Sequence, residues 1–148
     1  MGEIQGRPIL VLIDSGSSHS FLHSSFASVV PGVRPLSVPS VVTVADGSSI
    51  QCSSEIPNAE WSVQGFKFHS TLKLLPIGSF DLILGMDWLQ AFSPMKVDWT
   101  HKIMTISYGS RHITLQGSQD DSAPCTLLQL CHITDSVKQP DSVHPEIQ

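Results

Sequence analysis

Asp14 stands out among the residues that could do chemistry. It follows an unbroken apolar run, residues 9–13 (ILVLI), and opens the segment Asp14-Ser15-Gly16-Ser17-Ser18. A carboxylate delivered by a buried strand is costly to leave ionised without partners, so such a site must supply hydrogen bonds or share a proton. Gly16 lets backbone approach closely, and Ser15 and Ser17 place hydroxyls within reach of the acid. That arrangement suits a carboxyl group held in a defined geometry for acid–base work. The tripeptide alone also fits an Asp that caps a turn through Asx-type bonds to its own backbone, and leaves both readings open.

Other candidates are weaker. His19 and His23 are four apart, a spacing that could put two metal ligands on one helix face, but no helix and no third ligand are evident there. The seven histidines are scattered and read as surface residues, so no metal site is expected. No G-x-S-x-G elbow supports a serine hydrolase. Asp81, Asp87 and Asp98 read as turn, helix-end and hairpin residues, and Trp88 and Trp99 as core or dimer-contact aromatics.

The elements that must position Asp14 are mostly strands. Residues 9–13 read as a strand buried on both faces. Residues 18–30 fit a short helix or an irregular turn, and Pro31, Pro35 and Pro39 then exclude a long helix. Asp46-Gly47 between two β-favouring arms (41–52) predicts a hairpin. Residues 59–75 alternate around Gly65 and predict a second strand pair. FDLILG (80–85) predicts a short buried strand, and MDWLQAF places Met86, Leu89 and Phe92 at helical spacing before Pro94. MKVDW, KIMTISY and RHITLQG predict a meander with turns at 100–101 and 109–110.

The composition is that of one ordinary domain with a tail. The chain has 148 residues, 41% of them hydrophobic, and a formal charge of −5. Residues 1–117 carry a net charge of −1 and residues 118–148 carry −4, so no basic patch points to nucleic acid. Cys52, Cys125 and Cys131 lack a CxxC spacing and fit unpaired thiols in a reducing, cytoplasmic setting. No apolar run reaches the roughly 20 residues of a membrane span. The domain is expected to cover 1–117, with 118–148 as a linker or tail.

Taken in order, ILVLI-DSGS, VTVADGSSI and FDLILGMDWL resemble the retropepsin-like aspartic protease domain of Ty3/gypsy-type retrotransposon polyproteins. The closing MKVDWTHKIMTISYGSRHITLQG is also similar to the end of that domain. The resemblance implies an all-β fold: half of an acid protease, a closed β-barrel with one short helix, followed by an irregular tail. It implies an aspartic endopeptidase active as a homodimer, because the chain holds one D-S-G motif and the active site needs two. Asp14 would be the catalytic carboxylate, its partner being the same residue of a second copy. Ser15 would hydrogen-bond across the twofold axis, Gly16 would leave room for substrate backbone, and Ser17 would support the carboxylate from its outer side.

The hairpin around Ala45, Asp46 and Gly47 would be the flap over the substrate, although it is less glycine-rich than is usual in the family. Ser18 and His19 stand where some members place acids that grip substrate backbone. The implied substrate is a peptide or polyprotein, with no metal and no other cofactor, no membrane and no nucleic acid bound by this domain. The setting would be intracellular, including virus-like particles, with the tail leading toward a reverse transcriptase domain. The alternative is a domesticated or inactive copy that keeps the fold as a dimerisation or peptide-binding module.

Overall fold

The computed structural model describes residues 2–43 and 47–117, together with the backbone of 134–137. A first hairpin, β1 (Gly2–Ile4) and β2 (Arg7–Ile9), turns through Gln5 and Gly6, both at positive φ as a tight two-residue turn demands. The apolar run predicted as one strand is broken at Leu10 and resumes as β3 (Val11–Ile13). Asp81 fills that break. Its carboxylate accepts the Leu10 N–H at 2.8 Å, while the N–H groups of Asp81 and Leu82 donate to the Leu10 carbonyl.

The ambiguous segment after the DSG loop resolves into β4 (Phe21–His23) and one turn of 3-10 helix (Ser24–Ser28). Then come β5 (Arg34–Thr43), β6 (Ser49–Val63) and β7 (Phe66–Leu75). β5 tolerates Pro39 because its pairing with β6 is interrupted between Pro35 and Ser40, while Pro35, opposite Ser54, stands near the start of the strand. β6 is one long strand rather than the two short ones expected. Its pairing with β7 shifts between Ile56 and Ala59, where Pro57 and left-handed Asn58 (φ 55°) bend it without ending it. Gln64 and Gly65, at φ 50° and 83°, make the β6–β7 turn.

β8 (Leu82–Leu84) is wholly buried and leads through Gly85 into α1 (Met86–Ala91). The meander follows as β9 (Lys96–Asp98), β10 (Ile103–Tyr108) and β11 (Arg111–Gln116). Within the region expected to be tail, Thr134–Val137 forms a further strand, β12. The remainder of that tail, and the hairpin-tip residues Ala45 and Asp46, lie outside the described residues.

One sheet runs β12-β5-β6-β7-β4-β8-β3, with β1 and β2 attached through β6; β11-β10-β9 form a second, smaller sheet. β3 pairs with β8 in parallel, Ile13 opposite Leu84, and β4 pairs in parallel with β7. This all-β, nearly closed barrel with one short helix matches the expected fold class. Both faces of β3 are covered, as its apolar run requires. Ile13 enters the larger core with Leu84, Trp61 and Trp88, while Leu12 enters a smaller one with Phe21, Val42, Cys52 and Ile83.

An aromatic group locks α1 in place. Trp61 stacks on Phe68 at 4.7 Å, and Trp88 meets Phe68 and Phe92 at 5.7 and 5.0 Å. The smaller sheet is tied to the barrel by Gln64, whose amide donates to the Thr114 carbonyl and accepts the Gln116 N–H. Trp99, expected in a core or a dimer contact, is 62% exposed and is no core residue of this chain. It opens the β9–β10 turn, one residue past the end of β9, so the alternation that directs Val97 toward the core stops before it.

Candidate active site

Asp14 follows the last residue of β3, and its backbone N–H donates to the Leu84 carbonyl at 2.9 Å. The parallel β3–β8 pair therefore places the start of the DSG loop directly against the Leu84-Gly85 corner. The chain turns at once: the Ser17 N–H reaches back to the Asp14 carbonyl at 3.2 Å, and the Gly16 N–H donates to Asp14 Oδ1 at 2.9 Å. The carboxylate makes the Asx-type bond expected of a turn cap, which directs its Oδ1 toward the Gly16 N–H.

The corner below the loop leaves no slack. Met86 N–H donates to the Ser17 carbonyl at 2.7 Å. A Cβ on Gly85 would lie 2.6 Å from the Ser17 carbonyl oxygen and closer still to that of His19, so only glycine fits. Ser20 completes the frame. Its hydroxyl donates to Asp87 Oδ1 at 2.6 Å and accepts the Gly85 N–H at 3.0 Å, while its backbone N–H donates to Asp87 Oδ2 at 3.2 Å. Asp87 also accepts the Trp88 N–H, so one carboxylate joins the far end of the DSG loop to the first turn of α1. Asp14, Ser17 and Ser20 are buried, whereas Ser15 and Gly16 are exposed at the loop's apex.

The expected roles divide accordingly. Asp14, Ser15, Gly16 and Ser17 form one loop. Ser17, however, does not turn its hydroxyl to the Asp14 carboxylate; it donates to the His19 carbonyl at 2.7 Å and tightens the loop behind the acid. Gly47 lies at φ 90° where the hairpin re-enters β6, while Ala45 and Asp46 are outside the described residues. His19 lies in the loop and His23 in β4, not on one helix face, and among the described residues no three His, Cys, Asp or Glu side chains are grouped to hold a metal. Burial pushes the Cys52 thiol up, which keeps it protonated and unreactive in its core.

Sequence reasoning missed Ser20 and gave Asp87 only a helix-end role. The two are 67 residues apart, and nothing local in either segment signals the contact.

A carboxylic acid at the end of a buried strand, its loop seated on an apolar-apolar-Gly corner, is the arrangement of an acid-protease half-site. A family model described as retroviral aspartyl protease matches residues 1–112, and the chain belongs to that family. Among solved structures, the retroviral protease-like domain of Ddi1 from Leishmania major shares the fold at a TM-score of 0.56. The two are 17% identical, over 81% of this chain and 93% of that one. A comparison with curated proteins finds no match.

Proposed function

We propose that this chain is one protomer of a homodimeric aspartic endopeptidase of the Ty3/gypsy type, with Asp14 as its catalytic carboxylate. The observation that carries the reading is the seating of Asp14, in a retropepsin-like fold whose sequence contains a single D-S-G. One carboxylate does not make an aspartic protease site, so the second comes from another copy of the chain. The exposed apex, Ser15 and Gly16, is the part of the loop able to meet that copy.

The chemistry follows from repulsion between two nearby carboxylates. They share one proton, and aspartic proteases are the standing example of such a pair. The ionised member takes a proton from a water molecule, whose oxygen adds to the scissile carbonyl carbon. The protonated member gives its proton to the carbonyl oxygen, yielding a tetrahedral diol. Return of a proton to the amide nitrogen lets the C–N bond break, releasing acid and amine. The pair titrates as a unit. The natural substrate is a polyprotein containing this domain, processed inside the cell or in particles assembled there; the sparse cysteines without a CxxC spacing suit that setting.

One observation favours a second reading, a module that binds peptide or dimerises without cleaving. Asp14 is fully buried in the single chain, which keeps water and substrate from it in this conformation. Cleavage of a peptide library at mildly acidic pH separates the two. Asp14→Asn is expected to lower the rate by about 10²–10⁴-fold, and dilution below the dimer dissociation constant should abolish it. Equal rates in both proteins would remove Asp14 from the chemistry, and loss on chelation would point to a metal instead.

A further inference from the structure

We propose that β12 is a built-in occupant of the strand edge that an extended peptide must use to reach Asp14, so that the chain competes with its own substrate. The inference rests on the peptidase reading for that consequence, though not for the docking itself. β12 pairs antiparallel with β5, Thr134 opposite Thr43 through Val137 opposite Ser40. It terminates the large sheet, so without it β5 would be the last strand and would present an open row of backbone donors and acceptors.

That edge is close to the chemistry. Val42, in the middle of the paired register, packs in one cluster with Leu12 and Ile83, the inward residues of the two strands that seat the Asp14 loop. The register ends at Thr43, where the hairpin leaves β5 for its tip. An extended peptide binds such an edge by adding a strand to it, through main-chain hydrogen bonds.

The tether makes a four-residue strand effective. Sixteen residues separate Gly117 from Thr134. A chain of that length reaches at most about 55 Å when extended, which sets a local concentration on the order of millimolar. A free peptide must exceed that concentration or wait for β12 to leave. The docking asks little of the sequence, because the bonds are made by backbone, and this is why the segment carries no strand pattern of its own.

The test uses the full chain bearing Asp14→Asn, with and without Asp135→Pro/Ser136→Pro. Facing N–H groups alternate along an antiparallel pair, so one of two adjacent prolines always removes a ladder bond. Hydrogen exchange at residues 40–43 is expected to quicken about tenfold in the proline variant, with β3 and β8 unchanged. A labelled synthetic peptide spanning residues 130–141 should bind that variant at least about tenfold more tightly than its parent. Unchanged exchange at 40–43, or equal peptide affinity, would overturn the inference. Restoring Asp14 separates the two proposals: no cleavage by either form, with the exchange and binding differences intact, would sink the peptidase reading and leave the docking standing.

Discussion

The corner that seats Asp14 and the strand β5 that runs toward the hairpin tip are built on opposite principles. The corner is determined several times over: a parallel strand pair, a glycine with no room for a methyl group, and the Asp87 carboxylate with three donors. β5 contains two prolines, loses its register with β6 between Pro35 and Ser40, and keeps Val33 and Val38 nearby in solvent. Under the proposed function the corner must hold a reacting carboxyl where sub-ångström errors are costly, which a redundant frame achieves. A surface that receives extended chains needs an accessible backbone edge, and rigid side-chain packing there would close it. The difference separates a corner fixed by many side-chain and backbone contacts from a strand held mainly by backbone pairing.

Gly85→Ala should break the corner most severely. Its methyl group would meet the Ser17 and His19 carbonyls, which are held by the same loop, so the change should cost about 3 kcal/mol, read as a lower denaturation midpoint with an unchanged slope. Asp87→Ala should follow, leaving the buried Ser20 hydroxyl and backbone N–H without their acceptor, at about 2 kcal/mol. Asp87→Asn should recover part of that loss, since an amide oxygen still accepts one of these bonds.

On the β5 side, Arg34→Ala removes the 2.8 Å ion pair with Glu55. Arg34 is well exposed, so solvent screening should hold the loss below about 0.5 kcal/mol. A loss as large as that of Asp87→Ala would erase the contrast between the two regions.

The smallest expected effect is a pH dependence at the β9–β10 turn. The side chain and backbone N–H of His101 hold the Asp98 carboxyl below the ordinary carboxylate range. A carboxyl depressed in the folded state stabilises above its unfolded pKa, and the benefit fades as pH falls through the folded value. Asp98→Asn should therefore melt slightly lower than the natural chain near neutrality and converge with it in acid, which thermal denaturation against pH would show.

Much of the layout was legible because strand signals are local. The β6–β7 turn at Gln64-Gly65, the LIL strand, the Met86–Ala91 helix and the closing meander all follow from alternation, spacing and turn chemistry. The errors lie where a distant partner decides. Leu10 looks like the centre of a strand, yet Asp81 claims its N–H and carbonyl and splits the run. Pro57 and Asn58 look like a strand end, yet pairing with β7 on both sides carries β6 through them. Ser17 is a different case: its hydroxyl donates to the carbonyl of His19, two residues on, which the fold of the loop rather than any distant partner brings within reach.

The sequence by itself determined the class of this protein: one acid after a buried strand, in a fixed order with a hairpin and an apolar-apolar-Gly helix start. Those features are set by neighbours within a few residues, and composition and periodicity report them directly. Only the tertiary structure decided what holds the acid and what pairs with the outer edge of β5. Ser20 with Asp87, Gly85 beneath the loop, and β12 against β5 join segments tens of residues apart. Such contacts are chosen by how the sheet closes, and a backbone-to-backbone pairing leaves almost no mark on the side chains that a sequence records.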